Sequence, residues 1–176
     1  MQRSSLRRRV VTELHPFDPE RLLRTLASHE VRFVLVGAMG ARLYGFPRLT
    51  ADAGITPARD AENLERLVAA LNALDARVYT ESVPEGLPFD ISARTLARAL
   101  LWNLTTDAGR LDLIFEPAGT SGFDELAPRA THFTVYGSTL LVARLEDILQ
   151  SKVAADRPQD RQDAVVIREM LARGIS

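Results

Sequence analysis

The chain has 176 residues, 46% apolar and 26% charged, which excludes a disordered polypeptide and fits one domain spanning residues 1–176. It has no cysteine, which excludes a disulfide scaffold, a thiol nucleophile and thiolate-held zinc, and its three histidines (His15, His29 and His132) are widely scattered. No uncharged stretch reaches the ~20 residues of a membrane span, so no membrane partner is expected, and any metal should be a hard cation held by carboxylates.

The formal charge of −1 conceals an asymmetry. Residues 1–50 carry nine arginines against four acids, whereas 51–100 and 101–176 each carry three more acids than bases. The N-terminal third is therefore the expected surface for a polyanion. Of the 22 basic residues all but Lys152 are Arg. A lysine kept against that bias marks a place for a compact ammonium rather than a planar fork, or else is a leftover.

Residues 1–16 read as a basic arm, with Arg3, Arg7, Arg8 and Arg9, either solvated or contacting phosphate. Met1–Val11 lacks the apolar stretch of a secretory signal, so the cytoplasm is the expected compartment. Asp18-Pro19-Glu20 opens a helix running to about His29. Arg32–Val36 is an apolar strand ending at Gly37, followed by a short helix over Ala38–Tyr44. Asp52–Thr56 is a second strand, and Asp60 caps an amphipathic helix through Leu74. Arg77–Thr80 is a third strand. Glu81–Asp90, with Pro84, Gly86 and Pro88, reads as a mobile loop. Ser92 caps a short helix to about Leu100. Leu101–Thr105 and Arg110–Phe115 form a hairpin through Asp107-Ala108-Gly109. Phe123–Arg129 is a short helix, Phe133–Tyr136 and Thr139–Val142 a second hairpin, and Leu145–Ala155 and Gln159–Arg173 the closing helices. The fold class is α+β: a small mixed sheet flanked by helices, with a helical C-terminal end.

Four features align in order: a strand running into Gly37, Arg48-Leu49-Thr50-Ala51-Asp52, Leu111-Asp112-Leu113-Ile114, and Ser151-Lys152. Asp112 interrupts an apolar strand, where a carboxylate is expensive unless paired or metal-bound. Asp52 begins another strand, and carboxylates on two adjacent strands can hold one divalent cation. Gly37 opens a helix whose N–H groups can face a phosphate. Lys152 can reach the same anion as a point charge. The plainer alternatives are Asp52 as a turn cap and Asp112 as an ion-pair partner of Arg110.

On these residues the chain resembles the nucleotidyltransferase superfamily, with its DNA polymerase beta-like fold, and within it the AbiEii-like and MenT-like toxins of toxin–antitoxin pairs. Members show a strand, a Gly-Gly or Gly-Ser turn, Arg-x-Thr-x-Asp-x-Asp, a later acid on a strand, and a helical Lys followed by Arg-Pro-Lys-Asp. The matching text is Val36-Gly37-Ala38, Arg48 to Gly54, Leu111-Asp112-Leu113 and Lys152 to Asp160. The resemblance implies Mg²⁺ (or Mn²⁺) on Asp52 and Asp112, with Asp112 as metal ligand or general base. Gly37, Ala38, Arg48, Thr50, Lys152 and Arg157 would bind the nucleotide. Asp160 and Asp163 would support by orienting Lys152 or Arg157. It further implies transfer from an NTP to RNA, the tRNA 3′ end above all, and an antitoxin partner. The alternatives are transfer to a small molecule or a protein hydroxyl, or nucleotide or partner binding without catalysis.

Two departures bear on activity. Gly54 stands where the second Asp of Asp-x-Asp belongs, and residues i and i+2 of a strand share a face, so a carboxylate is lost from the ion's side. Ala38 replaces the Gly or Ser after Gly37, removing any hydroxyl contact. Asp52, Asp112 and Lys152 are expected to converge on one cleft walled by Gly37. Lys152 is expected at the surface, where its removal leaves folding intact.

Overall fold

The computed structural model describes residues 16–176, so the basic arm expected over 1–16 lies, but for Pro16, outside the described residues. Helix α1 (Pro19–Ser28) starts where Asp18 accepts a hydrogen bond from the Arg21 N–H at 3.0 Å, with Pro19 in its first turn. Its buried side chains, Leu22, Leu23 and Leu26, recur at helical spacing. Strand β1 (Phe33–Val36) is buried along its whole length, as its unbroken apolar run demands, and passes directly into α2 (Gly37–Leu43). Next come β2 (Asp52–Pro57) and α3 (Ala61–Ala73), the latter capped by Asp60.

Beyond α3 lie β3 (Arg77–Thr80), β4 (Val83–Leu87), α4 (Ala93–Leu96), β5 (Leu101–Thr106) and β6 (Gly109–Ile114). A short helix α5 (Phe123–Leu126) continues as a single 3-10 turn, and β7 (Thr131–Val135) and β8 (Ser138–Val142) form the second hairpin. Helices α6 (Leu145–Ala155) and α7 (Pro158–Ala172) end the fold. The expected α+β class therefore holds, with eight strands in the order β4-β3-β5-β6-β2-β1-β8-β7.

The sheet is mixed. Strand β2 pairs antiparallel with β1 and parallel with β6, and β1 pairs parallel with β8. One expectation fails: Glu81–Asp90 is not a loop, because Val83–Leu87 adds a strand to β3. Proline and glycine suggest a turn, but β4 is the edge of the sheet, where the missing N–H of Pro84 costs no ladder bond. The helix from Ser92 also ends early, at Leu96.

Alternation along β2 and β6 divides the sheet by polarity. Ala53, Ile55, Leu111 and Leu113 are fully buried, while Asp52, Gly54, Arg110 and Asp112 share the half-buried opposite face. The helices fall into two groups in mutual contact, α1–α3–α4 and α2–α6–α7. Asn63 on α3 locks the first group to the sheet. Its amide accepts from the Arg32 N–H at 2.7 Å and donates to the carbonyls of Arg32 and Ala58, each at 2.9 Å. Asn63 is fully buried, so Asn63→Ala strands the Arg32 N–H and the Ala58 carbonyl at about 1–3 kcal/mol each. Urea denaturation should show a loss of about 2–6 kcal/mol with the m-value unchanged.

Candidate active site

The two candidate carboxylates stand on adjacent strands, on the same face. In the β2–β6 register Asp52 lies beside Arg110 and Gly54 beside Asp112, and on the other side Gly54 lies beside Val36. A local device aims Asp52: the Thr50 hydroxyl donates to its Oδ1 at 2.5 Å and accepts from its backbone N–H at 3.4 Å. Asp112 has no such support. Its Oδ1 is buried without a hydrogen-bond partner. Burial, and then the neighbouring Asp52 charge, push its carboxyl up to about 6. A strand of alternating apolar residues brings this about: Leu111 and Leu113 enter the core and leave Asp112 between them on the polar face.

A second set of charges lies where α6 and α7 meet the loop before β2. The stripe Leu145, Ile148, Lys152 is the buried face of α6, and Asp160, Asp163, Ile167 and Met170 are on that of α7. Lys152 donates to Asp163 Oδ2 at 2.6 Å and to Asp160 Oδ1 at 3.2 Å. Arg48 grips Asp163 with two bonds, at 2.9 and 2.7 Å, and Gln159 adds a fourth donor at 3.0 Å. Arg157 donates to Asp160 at 2.6 Å. Burial pushes the Asp160 and Asp163 carboxyls up, but these donors outweigh it and hold both below the usual carboxylate range. Lys152 is thus not the surface ammonium its isolation in the sequence suggested. It is 9% exposed and bound to two carboxylates.

A cavity of about 380 Å³ adjoins these charges, with Gly37, Ile114, Lys152, Arg157 and Asp160 in its wall. Asp52 and Asp112 lie outside its lining but within electrostatic reach of Arg157. Gly37 enters α2 with φ +67°, a conformation costly for any side chain, and nothing lies within 4 Å of where its Cβ would stand. Ala38 follows in the first turn of α2, whose N-cap residue, Val36, makes no side-chain capping bond.

Gly54 has no such constraint. A Cβ there would meet Ile114 and Val36 side chains at 3.5 Å, ordinary contact, and its φ is not positive. The orphaned Asp112 oxygen is a hard donor of the kind a divalent cation takes. Among the described residues no group of three His, Cys, Asp or Glu could hold a metal ion. Two carboxylates suit a single Mg²⁺ whose other positions are filled by water and phosphate oxygens. They do not suit a pair of ions.

No protein-family model matches the chain. No curated protein matches it either. Solved structures do. The chain resembles the lincosamide antibiotic adenylyltransferase LnuA in its lincomycin-bound form, with a TM-score of 0.55 and 14% identity over 89% of this chain and 99% of that one. It also resembles the solution structure of the antibiotic-resistance factor ANT(2'')-Ia, with a TM-score of 0.53 and 16% identity over 86% of this chain and 80% of that one. The chain has the nucleotidyltransferase fold.

On this nucleotidyltransferase fold several residues take places that sequence alone does not reveal. The Arg48–Asp163 pair joins positions 115 residues apart, and no local pattern announces it. The stripes of α6 and α7 did carry a signal, since Lys152, Asp160 and Asp163 occupy positions their periodicity reserves for apolar residues. Asn103 faces Asp112 across the β5–β6 ladder, and nothing in the pattern of its strand signals that position.

Two measurements test this geometry. Lys152→Ala leaves two nearly buried carboxylates without their shared cation, so stability should fall by about 3–5 kcal/mol in chemical denaturation. The second concerns Asp112, an acid whose folded pKa lies above its ordinary 3.8. Its ionised form costs stability above pH about 6, and that cost fades as pH falls towards the ordinary value. Asp112→Asn should therefore stabilise the fold by roughly 3 kcal/mol at pH 7.5 and by less than about 1 kcal/mol at pH 4.

Proposed function

We propose that this chain transfers a nucleotidyl group from a nucleoside triphosphate to a hydroxyl acceptor, and that the acceptor is the 3′ end of an RNA, tRNA in particular. The observation that carries the reading is the pair Asp52 and Asp112 on one sheet face, with a buried unpartnered oxygen on Asp112. In the reaction the acceptor oxygen bonds to the α-phosphorus, the bond to the bridging oxygen breaks, and pyrophosphate departs. Asp112 takes the hydroxyl proton as the acceptor oxygen attacks. The Gly37 turn and the first N–H groups of α2 face the phosphates, and Arg157 lies at the cavity edge to offset their charge. Mg²⁺ (or Mn²⁺), held by Asp52 and Asp112, would supply Lewis-acid polarisation of the phosphate. Lys152 acts through Asp160 and Asp163 rather than on the nucleotide.

The RNA acceptor and a toxin role, with an antitoxin as partner, follow the resemblance of the Arg48–Asp52 and Lys152–Asp160 segments to AbiEii-like and MenT-like toxins. The arginine excess of residues 1–50 supports a polyanionic acceptor. A small-molecule acceptor is the second reading, favoured by the largely apolar cavity and by the lincomycin bound to LnuA.

The test is label transfer from an α-labelled NTP, with total RNA and lincomycin as separate acceptors, with and without Mg²⁺. Mg²⁺-dependent labelling of RNA is the expected result, with Asp112→Asn slower by at least ~10²-fold. NTP binding without transfer to any acceptor would reduce the chain to a binding module. Gly54→Asp places a third carboxylate beside Asp112 on an extended backbone with room for its Cβ. It should tighten Mn²⁺ binding about tenfold or more by calorimetry and raise transfer. Unchanged metal affinity in the folded variant would remove the carboxylate model of the site.

A further inference from the structure

We infer that Arg110 and Tyr79 form the acceptor subsite, built for the anionic, ring-bearing end of a single-stranded nucleic acid. The inference rests on the nucleotidyl-transfer reading and names the residues that would meet the acceptor.

Arg110 precedes Asp112 by two residues on β6 and so shares its face. It lies beside Asp52 on β2 and opposite Thr105 on β5. Its guanidinium carbon stands 3.6 Å from the centroid of the Tyr79 ring. Among the described residues it makes no ion pair and no hydrogen bond, and its Nε is buried without a partner. The other cations near the carboxylates are engaged: Arg48 by Asp163, Arg157 by Asp160 and Lys152 by both. A cation kept beside two carboxylates yet bonded to neither is held for another anion. Contact with the Tyr79 ring holds the guanidinium there and uses none of its N–H donors.

The spacing sets the ligand. Arg110 and Asp112 are two strand residues apart, roughly 6.6 Å along β6. One ligand can thus present a hydroxyl to the half-buried Asp112 carboxylate and an anion or flat ring to Arg110. The last nucleotide of a single strand carries a 3′-hydroxyl and a 5′-phosphodiester on the same sugar, with a base that can stack on a guanidinium. Asn103, exposed beside Asp112 and without a hydrogen bond to any described residue, adds an amide at the sugar. A neutral small molecule would make no ion pair with Arg110.

The test is equilibrium binding of the full chain in Mg²⁺ to a 5′-labelled single-stranded RNA octamer, read by fluorescence anisotropy, with Mg·ATP affinity measured separately by calorimetry. Arg110→Ala should weaken RNA binding about tenfold and lower the salt slope by about 0.7, the value for one contact to a single strand. ATP affinity should change less than twofold. Arg110→Lys should restore the slope but not the full affinity, because the charge returns without the stack. Arg110→Gln, which spares the aliphatic stem packed near Tyr79, should behave like the alanine variant, so instability of either variant alone leaves the test standing. Equal RNA affinity and slope in wild type, Arg110→Ala and Arg110→Gln would overturn the inference, as would a wild-type chain that ignores the octamer. RNA binding that falls as expected in a chain with no affinity for ATP would uphold the nucleic-acid contact and overturn nucleotidyl transfer.

Discussion

The Asp163 carboxylate is the point on which the site depends. It is almost completely buried and accepts from Arg48, Lys152 and Gln159 at once. One of those donors lies in the loop before β2, one on α6 and one on α7. Three separate segments are thus tied to a single pair of oxygens. A buried carboxylate is tolerable only when its lone pairs are filled by charged donors in good geometry, and that demand fixes where the donors' backbones run. The loop from Gly45 to Ala51 has no regular structure of its own, so Arg48 anchors it, and Thr50 then sets Asp52 from within the same loop.

Asp112 is the opposite case. Nearby buried carboxylates are saturated with donors, yet Asp112 keeps a buried oxygen free and has its carboxyl raised into the range of a usable base. The fold accepts a local loss of stability there. Such a loss, beside a second carboxylate on the same face, marks Asp112 as a candidate functional group. Gly54 completes the contrast: it stands directly between Val36 and Asp112 in the ladder, with room for a side chain it lacks. A third acid at that position would add negative charge that only a further cation could offset. With Gly54 the face carries two carboxylates and one arginine free of ion pairs, Arg110. This lower charge density matches one divalent ion better than two.

Most of the framework was legible in the sequence because its causes are local. Asp18-Pro19 and Asp60 cap helices through bonds to N–H groups three residues on, so the caps can be read from the chain. The apolar run Phe33–Val36 and the alternation around Asp112 announce a buried strand and a two-faced one. The edge strand β4 is not legible in the sequence, because Pro84 and Gly86 mark a turn unless the strand's place in the sheet is known. The burial of Lys152 is hidden in the sequence for a related reason. A helical stripe places its stem towards the core, but only a carboxylate from another helix makes that position acceptable to an ammonium.

The sequence by itself determined the α+β class, most of the elements and the candidate acids Asp52 and Asp112, because propensity, capping and periodicity act within a few residues. Tertiary structure alone decided which face those acids share, that Asp163 binds Arg48 and Lys152 together, and that Arg110 stacks on Tyr79 with no carboxylate partner. Those are contacts between residues far apart in the chain. They are set by strand register and by the demand that every buried charge find a donor, neither of which leaves a mark in any single segment.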